Sequence, residues 1–197
     1  VFPIAMQSIM FHALWEWKNQ MIKKSYKGKN PKIHRDAWVA ENAVIIGDVE
    51  IGAGTSIWYN VVIRGDLNKI RIGENVNVQD GAILHVESED GPCLIGNRVT
   101  IGHQSIVHGC IVGDDALIGM GATVLSWAKI DEGALVAAGA LVKEYEHIPA
   151  RTLWAGVPAK QRATIDDDMF QRMQNGWKHY VELAGNYRSE DDTLSDH

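Results

Sequence analysis

The sequence predicts a mainly β fold in which short parallel strands coil into a triangular prism, with one α-helix near the C-terminal end packed alongside. Three observations predict it. Aliphatic residues recur every six positions through most of the chain, small residues accompany them at a fixed offset, and a later stretch carries apolar residues at spacings of three and four. A period of six is neither the 3.6 of an amphipathic helix nor the 2 of a long strand. It is one short strand plus one turn, and three such units close one coil.

The first 28 residues stand apart from the repeat. The run VFPIAMQSIMFHALWEW is apolar, but Gln7, His12 and Glu16 interrupt it, no basic leader precedes it, and it is too short and polar to span a bilayer. Ile9, Met10, Ala13, Leu14, Trp17 and Met21 recur at helical intervals. Residues 1–28 are therefore expected to form an extension, either helical or disordered, with an organellar targeting remnant as a further reading.

From Ile33 the repeat takes over and is expected to build residues 29–147. Ile33, Val39, Ile45, Ile51, Ile57 and Ile63 mark one unbroken run, with Ala37, Ala43, Val49, Thr55 and Val61 four positions after successive members. A second run comprises Ile106, Val112, Ile118, Val124, Ile130, Val136 and Val142, with Cys110, Ala116, Ala122, Ala128, Ala134 and Ala140. Between them the phase slips, so loops or turns are expected there. The aliphatic residue should fill the prism and the small one should sit where the wall bends. The pattern resembles the left-handed parallel β-helix of hexapeptide-repeat proteins, a quasi-one-dimensional stack whose ends need closing.

Beyond the repeat, residues 148–163 contain Pro149 and Pro158 and read as a linker. Thr164 followed by Asp167 has the form of a capping box, so a helix is expected over residues 164–187. Ile165, Met169, Met173, Trp177, Tyr180, Val181 and Ala184 give it an apolar stripe that ends near Gly185. Residues 188–197 read as a frayed tail.

Composition narrows the function. The chain has 197 residues, 46% of them hydrophobic, and a formal net charge of -6 with no dense Lys/Arg cluster, which argues against a nucleic-acid partner. Cys93 and Cys110 are the two cysteines. They form no CxxC motif and no disulfide framework, which suits a reducing compartment such as the cytoplasm, with an organellar matrix as the alternative.

Of eight histidines, three lie close together in the repeat: His85, His103 and His108. His85 follows Ile83-Leu84 and His108 follows Ile106-Val107, in matching contexts. With Val86 to Cys93 treated as a loop, the two should occupy one face on adjacent coils, about 4.8 Å apart. Two imidazoles at that spacing reach a single metal with bonds of about 2.0–2.1 Å. His103 belongs to the preceding hexad and should project around a corner. Packing three prisms about a threefold axis would bring it to its neighbour's pair, leaving the open fourth position of a catalytic site. His12, His34, His147, His179 and His197 read as solvated surface residues.

The segments IWYNVVIRGDLNKIRIGENVNVQDGAILH and VTIGHQSIVHGCIVGDDALIGMGATV resemble the core signature of the γ-class carbonic anhydrases and their bacterial and mitochondrial homologues. The resemblance runs from about Lys29 to Arg188. It implies a homotrimer that interconverts carbon dioxide and bicarbonate by metal-bound hydroxide, with zinc, ferrous iron or cobalt on His85 and His108 of one chain and His103 of another. It further implies that Gln79 hydrogen-bonds the hydroxide, that Asn77 is a nearby polar position, and that Arg64, Asp66 and Asp80 form a charged network across the subunit interface. Tyr180 matches a tyrosine near the site in the compact subfamily, although a packing role on the helix fits it equally. Two departures bear on turnover. The family's archaeal prototype has an acidic residue after RGD where this chain has Leu67, and the acidic loop after the first histidine is short here, comprising Glu87, Glu89 and Asp90. Three other functions therefore stay in play: a metal-binding assembly subunit with weak or no turnover, a hexapeptide acyltransferase, and a small-ester or thioester hydrolase.

Overall fold

The computed structural model describes residues 21–88 and 90–195, with side chains through residue 190. The expectation for residues 1–20 lies outside the described residues. Within them, a parallel β-solenoid coils through three walls and ends in a hairpin and a helix.

Hydrogen-bond register defines the walls. The first contains Ile83–His85, Ile106–His108, Thr123–Val124 and Leu141–Val142, stacked on the start of Val62–Ile72. The second contains Cys93–Ile95, Ile111–Val112, Lys129–Ile130 and His147–Ile148, stacked on the end of that same strand. Because Val44–Ile51 and Val62–Ile72 both run through the corner, these two walls form one sheet. The third wall stacks Trp38–Val39, Ser56–Ile57, Asn77–Val78, Thr100–Ile101, Leu117–Ile118, Leu135–Val136 and Thr152–Ala155.

The interior is mainly aliphatic. Ile45, Ile57, Ile63, Ile70, Leu84, Ile101, Ile118, Ile130 and Ile148 are fully buried, and Ala43, Ala82, Ala122 and Ala134 are buried with them. One position of the repeat departs from the sequence reading. Val107, not Ile106, fills the prism: Val107 is 0% exposed and Ile106 38%. The strand alternates its side chains, so the Ile106–His108 strand puts residues 106 and 108 outside together. Ile83 in the neighbouring strand behaves alike, at 41% exposed.

Close stacking depends on glycine at one corner of the third wall. A Cβ on Gly119 would lie 2.4 Å from the Ala138 nitrogen and 2.7 Å from the Ala137 carbonyl carbon of the next coil.

Both ends differ from expectation. Ile22–Lys24 pairs in parallel with Val44–Ile51, so strand structure begins inside the stretch assigned to the N-terminal extension. The stretch read as a linker instead holds Thr152–Ala155 and Lys160–Thr164 as an antiparallel pair. That strand occupies the predicted capping residue Thr164. Asp166 caps the helix instead, its Oδ1 accepting from the Met169 N–H at 2.8 Å.

The helix spans Asp167–Ser195 and continues through Gly185. Tyr187 explains the continuation, since its ring packs 5.4 Å from Trp38 and 5.3 Å from Trp58. At the other end Phe170 lies 3.9 Å beneath the Arg151 guanidinium. Arg188 reaches the Asp36 carbonyl at 2.9 Å. From Phe170 to Arg188 the helix rises about 27 Å, close to the roughly 29 Å of six coil spacings on the third wall. It is a strut along the full prism. Among the described residues no helix is long and apolar enough to cross a membrane.

Candidate metal centre

His85 and His108 are register partners on adjacent coils, and their rings face each other from the outer side of the first wall. His85 Nδ1 lies 3.0 Å from His108 Nε2. Their other ring nitrogens are engaged: His85 Nε2 lies 3.0 Å from Asp66 Oδ1, and His108 Nδ1 lies 2.9 Å from Ser126 Oγ. Ser126 Oγ in turn donates to Glu87 Oε2 at 3.3 Å.

Proton inventory gives these contacts a direction. A carboxylate only accepts, so His85 donates from Nε2 to Asp66 and keeps a lone pair on Nδ1. Ser126 has one proton, and in donating it to Glu87 it accepts from His108 Nδ1–H. That leaves a lone pair on His108 Nε2. These tautomers place no proton between His85 Nδ1 and His108 Nε2, so they are the pair that a bound cation would bridge, and the 3.0 Å between the two nitrogens is near the ~3.3 Å separation of two nitrogens on one tetrahedral zinc. The donor set fits a metal, and the backing acceptors are the kind that orient metal-bound histidines.

Electrostatics agree with a neutral His108 ring beside fixed carboxylates. Burial, with the positive charge of His85 and Arg64 beside it, pushes the His108 pKa down despite the opposing Glu87. Burial raises the Asp66 carboxyl, but hydrogen bonds from His85 and Arg64 outweigh it and hold the pKa below the ordinary range. Arg64 pairs with Asp66 Oδ2 inside the same chain. Glu87 is lowered by the Ser88 backbone N–H and the Ser126 hydroxyl, among other contacts.

His103 stands elsewhere, in the turn between Thr100–Ile101 and Ile106–His108. Its Nδ1 lies 2.9 Å from Asp80 Oδ2, and its Nε2 lies 3.5 Å from the Tyr180 hydroxyl. A rail of amides runs beneath it. Asn77 Nδ2 donates to Thr100 Oγ1 at 2.9 Å, Gln79 Nε2 donates to Asn77 Oδ1 at 3.0 Å, and the His103 N–H donates to Gln79 Oε1 at 3.2 Å. Burial and the nearby Asp80 charge raise the Tyr180 pKa. An apolar groove of about 400 Å³ opens beside this group, lined by Leu117, Ile118, Leu135, Val136 and Met120.

The chain thus holds two separate side-chain clusters. Arg64, Asp66, His85 and His108 form one, while Asn77, Gln79, Asp80, His103 and Tyr180 form the other. Among the described residues, no three His, Cys, Asp or Glu side chains of a single chain gather to hold a metal.

Comparison with known proteins agrees with this architecture. The family model for bacterial transferase hexapeptide (six repeats) matches residues 30–65 and 109–144. A carbonic anhydrase of Geobacillus kaustophilus is 46% identical over 164 residues, covering 83% of this chain and 90% of that protein. The chain belongs to the γ-class carbonic anhydrase family. A further relative, the mitochondrial gamma carbonic anhydrase 2 of Arabidopsis thaliana, is 43% identical over 82% of this chain. The chain spans 60% of that protein's length. A solved hexapeptide transferase family protein from Anaplasma phagocytophilum superposes with a TM-score of 0.81 at 39% identity, covering 84% of this chain and 98% of its own.

As a γ-class carbonic anhydrase family member, the chain carries two site features that its sequence did not expose. Ser126 sits in a bend on the coil beyond His108, where no motif marks it. Glu87 was visible as an acidic loop residue, but its bond to Ser126 joins positions 39 apart in sequence.

Proposed function

We propose that the chain assembles as a homotrimer holding a divalent metal on His85 and His108 of one subunit and His103 of the next. This centre catalyses the reversible hydration of carbon dioxide to bicarbonate. The observation that carries the reading is the approach of His85 Nδ1 and His108 Nε2 to 3.0 Å, with each ring held at its opposite nitrogen by Asp66 or Ser126.

The trimer reading is supported by exposed apolar surface at both clusters. Ile83 and Ile106 stack beside His85 and His108 on the same outer face. Met120, 58% exposed, occupies the coil next to His103. Joining the first patch to the second is a heterologous contact, and three of them close a ring.

Zinc suits three imidazoles, and ferrous iron or cobalt accepts the same donors. When bound, such a metal lowers the pKa of a coordinated water to about 7 and supplies hydroxide at neutral pH. The chain's residues do the remaining work. Asp66 and Asp80 orient His85 and His103, and Arg64 balances the Asp66 charge. Gln79, 6% exposed, is fixed by Asn77 and the His103 backbone, so the second N–H of its amide is aimed without rotamer search. Tyr180 and the apolar groove give a nonpolar substrate a dry approach.

A second reading, an assembly subunit with weak turnover, draws on Leu67, which is 58% exposed where the prototype carries an acid. Free, buried Cys93 and Cys110 fit a reducing compartment, either cytoplasm or an organellar matrix. Stopped-flow carbon dioxide hydration, with metal content measured on the same sample and His108→Ala as control, tests the proposal. Activity that tracks one metal per chain and vanishes in the variant is expected. Bound metal without hydration transfers the protein to the assembly reading, and absence of both refutes the metal centre.

A further inference from the structure

Each histidine of the trio has one ring nitrogen tied to a partner, but the ties differ in kind. His85 and His103 lean directly on carboxylates, Asp66 and Asp80. His108 leans on a neutral hydroxyl, Ser126, which is 4% exposed. A hydroxyl donates or accepts, so by itself it leaves the tautomer of His108 undecided. Glu87 removes the ambiguity. Its Oε2 stands 3.3 Å from Ser126 Oγ and accepts the single hydroxyl proton, turning the Ser126 lone pairs toward His108 Nδ1–H. Were the hydroxyl turned to His108 instead, its oxygen would confront the Glu87 oxygen with no proton between them.

We infer that Ser126, backed by Glu87, is the positioning residue that holds His108 in the tautomer whose Nε2 faces the cation, so that cation affinity depends on this hydroxyl. The inference rests on the metal-centre reading and deepens it. The relay spans three coils, since Glu87 follows His85, His108 lies on the next coil and Ser126 on the one after. Trp127, adjacent to Ser126, steadies the acidic loop by donating from Nε1 to Asp90 Oδ1 at 3.2 Å. Loss of an outer hydrogen-bond partner of a metal-binding histidine weakens the metal by roughly 10–100-fold.

The test is titration of metal-stripped full-length protein with Co²⁺, followed by visible absorption, on wild type, Ser126→Ala, Ser126→Thr and Glu87→Gln. Thermal midpoint and oligomer size are measured on each. Wild type is expected to bind one Co²⁺ per chain, Ser126→Ala to bind roughly 10–100-fold more weakly at unchanged size and thermal midpoint, and Ser126→Thr to restore affinity. Glu87→Gln, in the loop and outside the coil, is expected to weaken binding in the same direction without touching the prism. Affinities of Ser126→Ala and Glu87→Gln within twofold of wild type would overturn the inference while leaving the metal centre intact. Failure of the wild type to bind Co²⁺ would refute the metal centre and the inference together.

Discussion

Leu84 separates the stability of the prism from the geometry of the site. It is 0% exposed and points inward from the strand whose next residue, His85, points outward. Leu84→Ala removes three carbon groups, which at about 0.8 kcal/mol each forfeits roughly 2.4 kcal/mol of transfer free energy. The coil walls are tied by ladder bonds such as Gly109 N–H to His85 O at 3.0 Å, so they cannot collapse inward. A residual cavity of about 60 Å³ adds about 1.4 kcal/mol at roughly 24 cal/mol per Å³, for a loss near 4 kcal/mol. Urea unfolding of the metal-free protein, followed by circular dichroism at one fixed subunit concentration, measures it. Because the ladder fixes the backbone of His85 independently of what fills the prism, Co²⁺ affinity is expected to stay within about threefold of wild type. A tenfold loss of affinity with stability lowered by less than 1 kcal/mol would refute the claim that inner and outer faces are uncoupled.

Three other outcomes are expected. His103→Ala should leave a trimer by light scattering while its metal content falls toward zero; a monomer that keeps a full complement of metal would contradict the shared site. Gly119→Ala should destabilise at the upper end of the ~1–3 kcal/mol range for overpacking, because its Cβ meets backbone atoms of the next coil, and an unchanged thermal midpoint would show that the coils slide freely. Asp115 predicts a pH dependence. Burial raises its carboxyl, but hydrogen bonds from Arg98 and from Gln174 of the helix outweigh this and hold the pKa below the ordinary 3.8. A depressed folded-state value means that the stabilisation is fully present above the ordinary value and is lost as pH falls through the depressed one. Thermal midpoints between pH 6 and 2.5 should therefore drop less steeply in Asp115→Asn than in wild type, from a lower starting value.

The fold was legible wherever burial has a period. The aliphatic residues of the first run write the inner face of the prism directly into the sequence. The reading failed where aliphatic residues are adjacent: Ile106 and Val107 are equally hydrophobic, and only pairing with Ile83 and Leu84 decides which turns inward. It also failed where structure rests on backbone bonds alone. Lys160–Thr164 is exposed along its whole length and so carries no apolar pattern, yet it pairs antiparallel with Thr152–Ala155. Gly185 looked like a helix end because glycine costs about 1 kcal/mol inside a helix. The aromatic contacts of Tyr187 with Trp38 and Trp58, distant in sequence, override that signal. At the site, the pairing of His85 with His108 was legible because matching tripeptides stack. Ser126 was not, since a serine in a bend looks the same whether or not a histidine stands over it.

The parallel ladder also behaves as a ruler with a single graduation. His85 and His108 are 23 residues apart, against the 18 that separate Thr123 from Leu141, yet both pairs sit one coil apart in register. The surplus is carried by the loop at Glu87 to Gly91, whose backbone bond from Glu87 N–H to Gly91 O closes it on itself. Distance along the chain is thereby uncoupled from distance across the site. Residues between Glu87 and Gly91 can be gained, lost or exchanged, altering the charge and access of the rim, while the span between the two imidazoles stays at one coil rise.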